Sequence, residues 1–332
     1  MTKAAGATIA QRPWVPIFIR YGFLPLVMVA MLATFGVVEP RFVGSANLVN
    51  FLEQSSFLVV MAVGQMFALL TRGFDLSTGQ VVSMISVVTS LSMVWVAQTL
   101  GAPPGLAVAA GLVTGLFIGA LVGLVNGLCI TRLGVHPFIT TLGMQGVALG
   151  VATTVSGGFP VFDVPDLLTE TFHQARWLGI PASIFLAILV CILASVILGK
   201  TVFGRALYLI GGNPRAAKAA GLRVRLHVTG AFLTCSLITA VAALMLTART
   251  GSGEPMLGGG LMLQSIAAAV IGGVSLRGGE GTVLHCVLGA LFITMLSNGM
   301  NLVRIDGYMQ MIVLGVVVII GVFIDRLRVY LK

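Results

Sequence analysis

Long runs of apolar residues without any charge dominate the chain. No Asp, Glu, Lys or Arg occurs in Leu76–Thr131, Leu133–Phe162, Trp177–Gly199, Leu226–Ala248, Pro255–Leu276, Gly281–Val303 or Gly307–Ile324. A bilayer core about 30 Å thick takes roughly 20 helical residues, so these runs match whole spans. They are too long and too uniformly apolar for the alternating ten-residue strands of a membrane barrel, and a helix satisfies its own backbone in hydrocarbon. The pattern predicts an all-α polytopic membrane protein of about ten transmembrane helices. These begin near Ile17, Asn47, Gly79, Gly105, Pro137, Ile180, Thr229, Leu261, Thr282 and Gly307. The organisation expected is a single transmembrane domain over residues 1–332, with an N-terminal tail 1–16 and one long basic loop over 200–228. No small-residue cleavage site follows a short apolar run, so the first segment is read as a retained helix.

Composition agrees and removes whole classes. Of 332 residues, 58% are apolar and 9% charged, against roughly 25% charged in soluble domains. The net charge of +9 would suggest nucleic acid in a soluble protein, but here the question is which face of the membrane holds the bases. With the N-terminus inside, alternation places fifteen of the nineteen bases on the cytoplasmic side and only Arg41, Arg176, Arg249 and Arg304 outside. Both termini are therefore expected in the cytoplasm, with the lipid membrane, and no nucleic acid, as the surroundings.

Glycines and isolated polar residues carry the next layer. Gly111, Gly115, Gly119, Gly123 and Gly127 recur every four residues, which lets a neighbouring helix approach closely where lipid gives no hydrophobic drive. Asn126 rides on the same helix and requires a hydrogen-bond partner, either a structural bond to another helix or a place on a translocation pathway. Two glycine-bearing turns share three of seven positions: residues 73–79, with Gly73, Asp75, Ser77 and Gly79, and residues 273–279, with Gly273, Ser275 and Gly279. They suggest an internal repeat, as in many transporters. Ser77 and Gln80 fit a capping box for span three, with Asp75 at the positive end of the helix dipole, so the turn reads as a helix cap or as part of a gate. By polarity and position, Asn126, Phe159, Asn298 and Asn301 are candidate pathway residues.

No catalytic constellation is visible. His136, His173, His227 and His285 are isolated, so no metal site is expected, and the four cysteines lie unpaired in apolar stretches. Ala194, Gly199, Lys200 and Thr201 fit a permissive phosphate-loop pattern, but Ser195–Leu198 finish an apolar span where that loop needs a strand before it. Lys200 reads instead as a snorkelling flank. Acids are absent from most span centres, which disfavours both a membrane-embedded enzyme and a proton-coupled carrier. A sodium-coupled carrier using backbone carbonyls stays open.

The basic loop is the most informative segment. Lys200–His227 holds six bases and no acid, and within it Asn213 and Pro214 start a short helix through Arg215, Ala216, Ala217 and Lys218 that Gly221 ends. Its alanine face suits a cleft on a partner protein, while its bases would also suit anionic headgroups.

Five groups of residues, taken together, resemble a family. Gly73, Asp75, Leu76, Ser77 and Gly79 form the first; Pro137, Phe138, Ile139, Thr141, Leu142 and Gly143 the second; Gly212, Asn213, Ala216, Ala217, Gly221 and Leu222 the third. Ile266, Ala267, Ala268, Gly272, Gly273, Ser275, Leu276, Gly278, Gly279 and Gly281 form the fourth, and Leu288, Gly289, Ala290, Asn298, Gly299, Asn301 and Leu302 the fifth. In order and spacing they resemble the permease subunits of bacterial ABC importers of the ribose/xylose/galactoside type, over roughly residues 47–328. The sequence departs from that pattern at Arg72 and Phe74, where the family usually carries glycine and isoleucine, and over Glu280–Cys286, where His285 and Cys286 are unusual.

The resemblance implies a bacterial inner-membrane transport subunit that moves a monosaccharide or polyol and is not itself an enzyme. It implies no cofactor in this chain, with ATP and Mg²⁺ held by a cytoplasmic, tandem-domain ABC ATPase that grips Gly212, Asn213, Arg215, Ala216, Ala217, Lys218 and Gly221. A periplasmic solute-binding protein would deliver the cargo, and a second copy or homologous permease would complete the pathway. A nucleoside or branched-chain amino-acid permease is the alternative within this class; an ion-coupled secondary carrier is the alternative outside it.

Overall fold

A computed structural model describes residues 24–330, with the side chains of 322 and 324–330 outside the description. The expected tail 1–16 and the start of the first span near Ile17 fall outside the described residues. Ten main helices correspond to the ten expected spans. They are α1 Leu24–Val38, α2 Ser45–Leu70, α3 Thr78–Val94, α4 Pro104–Thr131, α5 Pro137–Ser156, α6 Ala182–Lys200, α9 Val224–Thr250, α10 Leu261–Gly272, α11 Val283–Leu302 and α12 Gly307–Tyr330. Two further helices, α7 Val202–Gly212 and α8 Pro214–Ala219, build the basic loop between α6 and α9. Among the described residues the one small sheet is an antiparallel pair, β1 Arg176–Trp177 with β2 Ile180–Pro181.

Among the described residues, seven helices are long and apolar enough to cross a membrane: α2, α3 with its π-helical extension to Thr99, α4, α5, α6, α9 and α11. The departure from expectation is α10. The charge-free run Pro255–Leu276 reads as a whole span, yet only 12 residues are helical, about 18 Å at 1.5 Å per residue. Residues 251–260 descend beside α3 without regular structure, because Pro255 and Gly258–Gly260 withhold helix propensity. Non-helical backbone survives at such depth only when protein satisfies it. Here Ser83 Oγ accepts from Gly258 N at 2.9 Å and Ser86 Oγ accepts from Glu254 N at 3.1 Å. Thr247 of α9 donates to the same Ser86 hydroxyl at 2.9 Å.

The core forms around α9, which packs on α2, α3 and α4. Its closest partner is α4, and the glycine row explains the approach. A Cβ on Gly119 would lie 2.6 Å from Ala240 Cβ, one on Gly123 2.7 Å from Phe232 O, and one on Gly127 2.8 Å from Thr229 Cα. Successive glycines thus seat one helix against the backbone of the other. On the opposite side, α10 runs against α2 and α11. At the end away from the basic loop, Val161 and Gly253 exchange backbone hydrogen bonds of 2.9 and 2.8 Å. There too His173 Nδ1 lies 2.7 Å from Glu53 Oε1, joining the connection before α6 to α2.

Candidate functional site

The two glycine turns, Asn126 and the short helix of the basic loop meet at the end of the molecule that carries α7 and α8. The turn after α2 is fully buried at Asp75 and Ser77. Asp75 Oδ1 accepts from Ser77 N at 2.9 Å and from Ser77 Oγ at 2.5 Å. The expected capping box is not formed: the Ser77 hydroxyl serves Asp75 and accepts from Asn126 Nδ2 at 3.2 Å, so Asp75 closes the start of α3 instead. With its amide oriented to satisfy both groups, buried Gln65 of α2 donates to Asp75 O and accepts from Asp75 N, both at 3.2 Å. Thr141 Oγ1 of α5 donates to Phe74 O at 3.2 Å. Side chains of three helices, α2, α4 and α5, thereby fix one seven-residue turn.

The second turn lies against the first. Gly279 N donates to Leu70 O at 3.0 Å, and within the turn Ser275 N donates to Glu280 O at 3.0 Å. Gly278 and Gly279 take φ of 77° and 74°, a conformation open to glycine at no steric cost. Any Cβ on Gly211, at the end of α7, would collide with Leu70 O and Gly279 N, so three backbones meet at one point. Arg72 locks the junction: its Nε and Nη2 donate to Gly211 O and Gly212 O, each at 2.6 Å. Both acceptors lie at the C-terminal end of α7, where the helix dipole favours a cation. Tyr208 Oη donates to Gly281 O at 2.8 Å on the far side of the same seam.

From this seam α8 projects directly. Asn213 caps it, its Oδ1 accepting from Arg215 N at 3.0 Å and Ala216 N at 3.1 Å. Gly221, with φ 83°, ends it, donating to Lys218 O at 3.0 Å while Leu222 N donates to Ala217 O at 3.1 Å. The alanine face divides. Ala217 is 4% exposed and packs on Ala206 and Ile210 of α7, whereas Ala216, Ala219 and Ala220 face outward with Arg215 and Lys218.

The four candidate pathway residues do not converge. Asn126 is buried in the Asp75–Ser77 network. Asn298 and Asn47 exchange amide hydrogen bonds of 2.9 and 3.1 Å near the other end. Asn301 Oδ1 accepts from Gln310 Nε2 at 2.8 Å, and Phe159 is 74% exposed after α5. The sequence reading missed Gln65, Ser83 and Ser86. Each is a polar side chain inside an apolar helix, where hydrocarbon makes an unpaired group costly, and that cost was the available signal. It also missed the role of Arg72, which its departure from the family pattern marked.

Among the described residues no group of three His, Cys, Asp or Glu side chains is arranged to hold a metal. What the site can do is mechanical: buried turns, close backbone contacts and one exposed helix form a continuous connection from the surface to the core.

This architecture defines a multi-pass α-helical membrane permease. The chain belongs to the family described as branched-chain amino acid transport system / permease component, whose model matches residues 47–322. It is 32% identical to the D-allose transport system permease protein AlsC of Escherichia coli (strain K12), over 93% of this chain and 92% of that protein. It is 34% identical to the ribose import permease protein RbsC of the same strain, over 91% of each chain. To the galactose/methyl galactoside import permease protein MglC, also of that strain, it is 32% identical over 94% of this chain and 95% of the other. No solved structure matches it.

Proposed function

We propose that this chain is the membrane-spanning subunit of an ATP-driven importer in the bacterial inner membrane, carrying a monosaccharide or polyol. A cytoplasmic ABC ATPase holds the outward face of α8, and ATP and Mg²⁺ bind that partner. A periplasmic binding protein presents the sugar at the opposite end. A second copy of this chain, or a homologous permease, completes the pathway. Support for the sugar comes from the allose, ribose and galactose names of the relatives; the family description supports a branched-chain amino-acid cargo as the second reading.

One observation carries the mechanical part: Arg72 bonds the carbonyls of Gly211 and Gly212 immediately before α8. Closure of the ATPase must favour one of two permease states through contacts that differ between them. A push on α8 reaches the Leu70–Gly79 turn through Arg72 and the Ser275–Gly281 turn through Gly211 and Tyr208, so both turns move with the helix.

Ala216→Glu and Ala217→Glu separate this reading from a purely structural one. Ala216→Glu places a charge on the exposed face, so the chain elutes normally in size-exclusion chromatography while sugar uptake and ATPase stimulation fall more than tenfold. Ala217→Glu buries an unpaired carboxylate against α7 and destabilises the chain itself by about 3 kcal/mol or more. Normal ATP-driven uptake by the Ala216→Glu variant would remove α8 from the coupling role. Uptake of labelled ribose, allose, galactose and leucine by proteoliposomes holding the whole transporter decides the cargo. Uptake driven by an ion gradient without an ATPase would replace the reading by an ion-coupled carrier.

A further inference from the structure

Beside α8 lies a cleft of about 1190 Å³ that shares only Arg215 and Lys218 with the face offered to the ATPase. Its rim is basic: Arg132 from the end of α4, Arg215 and Lys218 from α8, and Arg223 and Arg225 at the start of α9. All five are exposed, and no carboxylate lines the cleft. Among the described residues none of the five side chains has an ion pair or a side-chain hydrogen bond. Its floor is apolar, formed by Leu124, Leu128, Leu222 and Leu226. Leu124 is seven residues before the end of α4, roughly 10 Å into the membrane-embedded part of that helix.

We propose that this cleft binds an anionic phospholipid of the cytoplasmic leaflet. The phosphate sits among the five bases, and one acyl chain lies along Leu124, Leu128 and Leu226. Two features distinguish the cleft from the general excess of bases on that side. The cations surround a concavity, and its apolar residues Leu124, Leu128 and Leu226 belong to α4 and α9, two helices long and apolar enough to cross a membrane, a setting that suits an acyl chain better than a soluble partner. Basic pockets between membrane helices on the cytoplasmic side take anionic headgroups by this combination. A zwitterionic lipid would bring its own ammonium against five cations and no acid. Because Arg215 and Lys218 belong to α8, the bound headgroup also fixes the position of the helix, making leaflet composition a control on its docking. The binding itself needs only the orientation of the basic end toward the cytoplasm; the control on docking rests on the transport reading.

The test uses the purified full chain in phosphatidylcholine vesicles with 5 mol% of either phosphatidylglycerol or phosphatidylcholine carrying a photoactivatable acyl chain. Crosslinked peptides are mapped by mass spectrometry. Phosphatidylglycerol labels residues 124–128 and 222–229 at least fivefold more than phosphatidylcholine does. Arg223→Gln with Arg225→Gln cuts that labelling on the order of tenfold or more, at about fivefold per base, whereas Arg223→Lys with Arg225→Lys retains it and controls for folding. Soluble glycerol phosphate in excess does not compete, since it lacks the acyl chain. Equal labelling by the two lipids, indifference to loss of the bases, or competition by glycerol phosphate overturns the proposal. So does complete displacement of the lipid when a cytoplasmic ATPase is added, which would assign the cleft to a protein surface.

Discussion

Two neighbouring helices carry rows of glycine and meet opposite fates. On α4, Gly111, Gly115, Gly119, Gly123 and Gly127 are buried, each with a neighbouring helix where a Cβ would stand. On α5, Gly143, Gly146 and Gly150 have nothing within 4 Å of that position. The residue type is the same and the spacing nearly so. A small residue permits close approach, but the approach occurs only where another helix presents backbone or small side chains, as α9 does with Ser236 and Ala240. Row spacing therefore announces a possible interface, and the rest of the chain decides whether it is filled from within.

The largest test of that contrast is Gly119→Leu. The added side chain meets Ala240 Cβ and Ser236 O inside 3 Å, so α4 and α9 must separate, at about 3 kcal/mol or more. Fluorescence-detected size-exclusion chromatography should show an aggregated or absent peak, and a monodisperse peak at wild-type yield would mean that the two helices can part freely. A smaller effect follows at the irregular segment that α3 supports. Ser83→Ala leaves the Gly258 N–H without its acceptor in a buried place, costing about 1–3 kcal/mol and lowering the thermal midpoint in detergent by several degrees. An unchanged midpoint would show that water reaches Gly258 N. The smallest effect belongs to α5: Gly146→Leu meets open space and should leave stability within about 0.5 kcal/mol. A loss comparable to that of Gly119→Leu would erase the distinction between the two rows.

The basic end teaches the same lesson at finer scale. The sequence marks the Asn213 cap, the Gly221 stop and the two glycine turns, because capping and turn chemistry depend on a few consecutive residues. The contact of both turns with α7 rests on Leu70, Gly211 and Gly279, which are widely separated in the chain and carry no mutual local signal. Alanine composition likewise cannot reveal that Ala217 turns inward and Ala216 outward, since that depends on where α7 lies.

Apolar run length, sparse charge and the distribution of bases determine, from the sequence alone, a helical membrane protein with its spans in nearly the right places. Transfer of each segment into hydrocarbon depends on that segment's own residues, so no partner has to be known. The polar support of residues 251–260, the Arg72 seam and the basic cleft are decided by tertiary structure. In the first two the free energy belongs to a pair of distant groups, one needing a hydrogen bond or a close backbone and the other able to supply it, and only the folded chain brings them together, as it brings the bases of α4, α8 and α9 to one cleft.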